Sequence, residues 1–445
     1  MPAKPTNESR SPQSLVNPLM VFLWIRTKLI TEFRFFLSMP HNMRVLLITN
    51  MLYSLVLPVV EIFMSAYIMR RYEHTSYQTS YVAIFQVAMY TGIIITSLTN
   101  GFLLKSFKVA HLYSFGILLS GLSMVGMMFV KDITLVGLII SATLIGAASG
   151  FFWTNRYLMA LNTTQDENRN YFFGLESFFF TFSNIFVPIA IGALLVSIDK
   201  THLFGIDFSI YSGYRIVTLI VFAITILACF SLARGRFENP VQKDFLYFRF
   251  AKLWNKQILL AALKGLVQGF LVTAPAMLIM KYVGKEGSLS LIQGISGGLT
   301  AILIYLLGRF AKHKHRILIF AVGISLFLIG TIINGIELSM IGVMVFVLCK
   351  VFFQPLHDLA YYPILMKVID VVSKRENRNQ YAYILNHEFG LYTGRVLGLG
   401  LFIFLAFYVS ETFALRYSLI VVAVLQMLSI PLAKNIMKHS YSEKK

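Results

Sequence analysis

Charge is scarce in this chain. Asp, Glu, Lys and Arg make up 13% of its 445 residues, against 57% hydrophobic residues and a mean hydropathy of +0.71. A soluble domain carries about twice that share of charge, so a soluble globular fold is excluded. Cysteine is scarcer still: Cys229 and Cys349 both lie in apolar runs. Two such residues exclude a disulfide framework and a cysteine metal cluster. No glycine loop followed by lysine cradles phosphate, and Gly-x-Ser-x-Gly and His-Glu-x-x-His are both missing. The lone histidine of "NHEFGLYTGR" makes no metal site by spacing. The expectation is therefore no enzyme, no cofactor and no metal. A short apolar core with a small-residue cleavage site is lacking too, so no removable signal peptide is expected.

Long apolar runs are present in abundance. "VLLITNMLYSLVLPVVEIFMSAYIM" and "RIVTLIVFAITILACFSLA" are typical, and about 20 such residues suffice for a helix to cross the hydrocarbon core. Twelve spans are predicted between residues 44 and 433, with a span 10 at 339–366. The excess of 39 Lys and Arg over 20 Asp and Glu could suggest nucleic acid, but its placement argues otherwise. Eight bases fall in the odd-numbered loops (Arg70, Arg71, Lys131, Lys200, Arg215, Lys281, Lys285, Arg416). Three lie inside spans (Lys264, Lys350, Arg395), leaving 28 of the 39 in the tails and even-numbered loops. By the positive-inside rule both termini are expected in the cytoplasm of a cell (inner) membrane. The partners implied are the lipid bilayer and no nucleic acid.

The organisation read from this pattern is a tail with an interfacial amphipathic helix (1–42, the helix over 17–38), six spans (43–233), a basic linker with a second interfacial helix (234–256), six more spans (257–433) and a tail (434–445). Three landmarks repeat between the halves. Phe33-Arg34-Phe35 precedes span 1 and Phe248-Arg249-Phe250 precedes span 7. Gly101 with Lys105 follows span 2, and Gly308 with Lys312 follows span 8. The tetrapeptide Glu-Asn-Arg-Asn follows spans 4 and 10, at 167–170 and 376–379. The offsets, 207 to 215, are those of two related halves in one orientation.

Twelve spans, parallel halves and a basic central loop together resemble the major facilitator superfamily of secondary transporters. The resemblance implies an all-α membrane protein of twelve transmembrane helices in two pseudo-symmetric six-helix bundles, a monomer working by alternating access. Lacking a nucleotide-binding domain, it would draw on an ion gradient, with protons and a small organic molecule as partners. The family's loop after span 2 has aspartate four residues after its glycine; here Lys105 and Lys312 stand at those gating-loop positions, so the usual ion pair is not expected. Pro188 and Gly192 partly match a pattern of the family's antiporters, which slightly favours export over uptake. The altered loops keep a second reading open: a lipid-translocating or non-transporting protein on the same fold.

Ionisable groups inside spans are costly, which makes each a functional candidate. Lys350, Gln354, His357 and Asp358 form one polar stripe on span 10. They form either a substrate-facing wall with a proton-exchanging pair or a lysine–aspartate lock between helices. Glu388 and Arg395, seven residues apart on span 11, share a face; Glu388 is the proton candidate and Arg395 a structural ion-pair member. Asn50, Ser54 and Glu61 align on span 1, and Glu61 follows Pro58, whose missing amide loosens the helix. The resemblance places span 1 along the central cavity, making Glu61 a proton carrier or a structural partner. Glu176 is expected to be hydrated or paired with Arg156 or Arg169. Lys264 and Gln268 share a face of span 7, with Lys264 a ligand or a snorkelling side chain. Asn155 and Arg156, flanked by Trp153 and Tyr157, complete the substrate-binding candidates.

Overall fold

In hydrocarbon a backbone amide has no partner except within its own helix, and the apolar runs accordingly become helices. The computed structural model describes residues 26–27, 30–31, 33–129, 134–164, 166–199, 202–203, 206–207, 209–238, 246–310 and 315–442. Twelve helices are long and apolar enough to span: α1 (His41–Arg71), α2 (Gln78–Leu103), α3 (Val109–Phe129), α4 (Leu135–Ala160), α5 (Tyr171–Asp199), α6 (Ile210–Ala233), α7 (Lys252–Tyr282), α8 (Glu286–Ile304), α9 (Arg316–Ile336), α10 (Met340–Glu376), α11 (Ala382–Tyr408) and α12 (Glu411–Ser440). A hairpin of two-residue strands, β1 (His202–Leu203) and β2 (Ile206–Asp207), lies between α5 and α6. We call the face where α1 begins proximal and the face where it ends distal. Of the interfacial helix expected over 17–38, residues 33–38 are helical, while residues 17–25 lie outside the described residues.

Hydropathy marks where apolar character stops, and helices run past that point. Helix α10 continues to Glu376, ten residues beyond the predicted end of span 10, and α12 reaches Ser440. Polar side chains at these proximal ends need no hydrocarbon, yet intrahelical hydrogen bonding goes on. Helix α10 ends at Asn377, whose left-handed φ of 47° caps it.

Helices α1–α6 and α7–α12 form two bundles, and small residues set how closely their helices approach. In the first, Gly146 of α4 lies on the backbone of Met89 in α2, where no Cβ would fit. In the second, Gly394 of α11 lies on the backbone of Ala262 in α7. Two seams join the bundles. In one, α5 meets α8, with Gly192 against Ser290 and Gly294 against Ile189. In the other, α2 meets α11, where Thr91 Oγ1 and Tyr392 Oη are 3.0 Å apart and Tyr77 stacks on Phe407. Since α8 and α11 correspond to α2 and α5, the seams are related by the sequence repeat.

The second Glu-Asn-Arg-Asn copy ties the connector to the second bundle. The Ala251 amide, at the start of α7, donates to Glu376 Oε1 at 2.7 Å. Arg378 pairs with Glu376 at 3.1 Å, donates to the Arg249 carbonyl and lies over Tyr247. At the other end, His41 bonds the Arg234 carbonyl at 2.9 Å, and Asn42 bonds both backbone groups of Arg236. The side chains of Glu167 and Arg169, in the first copy, lie outside the described residues.

Candidate functional site

A cavity of about 570 Å³ lies between the bundles, walled by α1, α5, α7, α8 and α10. It extends from mid-height towards the proximal ends, as far as Leu307 on the continuation of α8. Helix α1 brings Glu61 there by a local defect. The chain is α-helical to Ser54, Pro58 contributes no amide donor, and Val59–Phe63 forms a π-helical turn. The wider turn adds a residue, a feature frequent at functional sites. It breaks the register expected for Asn50, Ser54 and Glu61. Asn50 and Ser54 are buried against α5, bonding Glu176 and Ser183 at 2.6 and 2.8 Å, whereas Glu61 lines the cavity.

The polar stripe of α10 faces the same space, with Lys350, Gln354, His357 and Asp358 all on its wall. The lock is made with a lysine of another helix. Lys264 Nζ of α7 lies 2.7 Å from Asp358 Oδ1 and sits 4.2 and 4.0 Å from the ring centres of Tyr361 and Tyr362. Lys264 is therefore buried and paired, and does not snorkel. His357 Nδ1 approaches Asp358 Oδ1 at 3.2 Å, and its Nε2 meets the Gln426 amide at 3.2 Å. A second chain of groups starts one turn on. Tyr361 Oη is 2.6 Å from His387 Nε2, and His387 Nδ1 is 3.8 Å from Glu388. Arg395 stands 4.0 Å from Glu388, donates to Gln268 Oε1 at 2.9 Å and covers the Tyr90 ring across the bundle interface. The lysine–aspartate pair and these two histidines are thus contiguous, with Tyr361 packed against both Lys264 and His357.

Asn155 and Arg156 do not line this cavity. Asn155 of α4 exchanges amide hydrogen bonds of 2.8 and 3.1 Å with Asn100 of α2. Arg156 makes a two-pronged ion pair with Glu176 of α5, with Trp153, Tyr157 and Phe180 around its guanidinium. Glu176 is buried and shares its charge with Asn50, so the hydrated alternative does not hold. A polar residue inside a span can point into its own bundle as well as between bundles, and sequence spacing does not separate the two. Gly101 lies in the last turn of α2 and Lys105 is exposed in the following proximal loop, its ammonium 6.0 Å from the Phe102 ring centre. Gly308 lies in the helical continuation of α8; Lys312 lies outside the described residues. Gly192 lets α5 approach Ser290 of α8.

A set of charges that the sequence placed merely in loops closes the distal face. Arg70, at the end of α1, grips Glu286 at the start of α8 through Nε at 2.8 Å and Nη2 at 3.0 Å. Tyr214 of α6 adds a bond of 3.2 Å to the same carboxylate. Glu411, at the start of α12, accepts from the Ser80 amide and hydroxyl of α2 at 2.8 and 2.9 Å and lies 3.6 Å from Lys281 of α7. Both clusters join one bundle to the other. Arg70 and Lys281 are 211 positions apart, inside the window of the repeat, so the repeat was the signal that could have paired them.

The family profile described as Major Facilitator Superfamily matches residues 43–398. An uncharacterized protein of Bacillus subtilis (strain 168), YqgE, is 20% identical over 382 residues, 84% of each chain. A bacterial homologue of the iron transporter ferroportin, in an inward-facing state, superimposes with a TM-score of 0.65 at 14% identity, covering 89% of this chain and 98% of its own. A bacterial homologue of the human lysosomal transporter Spinster, inward-facing and unoccupied, gives 0.61 at 14% identity over 90% and 98%.

Proposed function

The chain belongs to the major facilitator superfamily, and on that premise we propose that it is a proton-coupled secondary transporter of a small organic solute, working by alternating access. The proximal face is then cytoplasmic, with both termini on that side of the cell membrane. The observation that carries the reading is the Lys264–Asp358–His357 cluster on the wall of a cavity between the bundles. Proton exchange at a cavity couples to transport when protonation changes which groups are paired there. Protonating Asp358 would release Lys264, whose ammonium then needs another partner; substrate or Tyr361 and Tyr362 would supply it. His357, between Asp358 and Gln426, would pass the proton, and Tyr361 links this cluster to His387 and Glu388. Histidine suits such a relay because its ordinary titration lies near neutral pH.

The distal ion pairs favour the state in which the cavity communicates with the cytoplasm, and rocking of one bundle on the other would exchange access. The test uses proteoliposomes with an internal pH dye. A solute that raises the melting temperature of the purified protein should drive proton flux in the native chain. Asp358→Asn should abolish the flux yet keep solute binding, and Glu388→Gln should weaken it. Unchanged gradient dependence in both variants would sink the proton assignment. Transfer of labelled lipid with no solute counterflow would instead support the lipid-translocating reading.

A further inference from the structure

The charges on the cavity wall divide into those already answered and those that are not. Lys264 and Asp358 answer each other at 2.7 Å, His357 is held by Asp358 and Gln426, and Gln268 accepts from Arg395. Glu61 and Lys350 are different. Neither has a hydrogen bond, nor an ion pair within 4 Å, among the described residues, although each is the other's charged neighbour across the cavity. One is an anion on α1 of the first bundle and the other a cation on α10 of the second. Around them stand amides and a hydroxyl that are also uncommitted: Thr181 and Asn184 on α5, Gln293 on α8 and Gln354 on α10.

We propose that the transported solute is a small zwitterion of the amino-acid class, its ammonium on Glu61 and its carboxylate on Lys350. The proposal rests on the transporter reading above and names its substrate. Isolated charges within a membrane protein are costly and need partners. When the cavity closes around a ligand and water leaves, a solute with one charge would answer one of the two and leave the other desolvated and alone. A solute carrying both signs answers both and is itself overall neutral, as suits passage through a low-dielectric path. The π-helical turn serves this arrangement, since it turns Glu61 away from the face of Asn50 and Ser54 and into the cavity. The ligand would also bridge the bundles, so that its binding bears directly on their relative position. A volume of about 570 Å³ falls within the ~300–1,000 Å³ of small-molecule sites and leaves room for a side chain.

The experiment measures thermal stabilisation and counterflow for the full chain with three probe sets: the twenty protein amino acids and their simple dipeptides, the corresponding amides bearing only the ammonium, and the N-acetyl acids bearing only the carboxylate. At least one zwitterion should bind, and its amide and N-acetyl forms should bind about 100-fold more weakly or worse, as removing one partner of a buried charge pair leaves the other unpaired. Glu61→Gln should narrow the gap to the N-acetyl acid alone, and Lys350→Met the gap to the amide alone. The double variant Glu61→Gln/Lys350→Met leaves neither charge alone and controls for folding; it should fold and lose the zwitterion preference. Single variants that bind zwitterions as the native chain does would show that the two charges serve only each other, and overturn the inference. So would counterflow confined to singly charged solutes, which leaves the transporter reading standing. Absence of counterflow with every probe overturns the inference, and the transporter reading is then decided by the proton-flux and lipid-transfer assays above.

Discussion

Arg156 and Glu176 show what a buried charge does when its partner is permanent. The two side chains are 8% and 2% exposed, bonded at both prongs, and assisted by Asn50 and three aromatic rings. Removing one member strands the other in low dielectric, a loss of about 3–5 kcal/mol for buried pairs, whereas removing both together is far milder. Arg156→Met and Glu176→Gln should each lower the melting temperature in detergent markedly, and the double variant should recover much of the loss. Additive losses would contradict a closed pair. At this scale the sequence was informative about which residues matter and poor about where they point. Glu61 was legible through Pro58, and the Arg156–Glu176 pair through the polar content of two adjacent spans. That Asp358 is locked by Lys264, leaving Lys350 free, was not, because the choice depends on how α7 and α10 pack. A one-dimensional pattern records a helix face without recording what stands opposite it.

Helices were the most legible level, and the seams between them the least. All twelve spans are present, since apolar length is a local property that hydrocarbon enforces residue by residue. Where helices come closest, glycine decides the distance. Gly192 sits where a side chain would overlap Ser290 on the far side of the α5–α8 seam, whereas Gly126 on α3 has open space around it. Gly192→Val should therefore lower the melting temperature and slow transport, as overpacking at a close contact costs about 1–3 kcal/mol. Gly126→Ala should leave both unchanged or raise stability slightly, because alanine restricts the unfolded chain. Equal damage from both substitutions would show that the seam tolerates separation. The glycines themselves gave no warning of this difference, for both lie in apolar helices and only the neighbour across the seam tells them apart.

For the whole molecule, the decisive contacts are those between bundles at the distal face. Arg70 and Glu286, 10% and 3% exposed, bind in two places, and Glu411 holds Ser80 and Lys281. Weakening such a closure by about 2 kcal/mol changes the ratio of two states roughly thirty-fold. Glu286→Gln should therefore lengthen and broaden the distances between spin labels at His74 and Lys285, and the reversal Arg70→Glu/Glu286→Arg should restore them in part. Distances unchanged by Glu286→Gln would mean the ion pair decorates a contact that other forces close. These pairings were hidden in the sequence, where loop charges carry topology and say nothing of partners. Only the 211-residue spacing of Arg70 and Lys281 hinted at them.

The anchoring of the connector bears on the same motion. Its first residues are fastened to α1 by His41 and Asn42, and its last to α10 by Glu376 and Arg378. Each bundle thus carries its own end of the tether. Nine residues separate Phe237 from Tyr247, and the ten steps between them span at most about 35 Å by covalent geometry. The covalent link therefore sets an upper limit on how far the two anchors can part. Contacts that cross directly from one half to the other lie in the seams and the distal ion pairs, and these couple the two halves whatever the connector does.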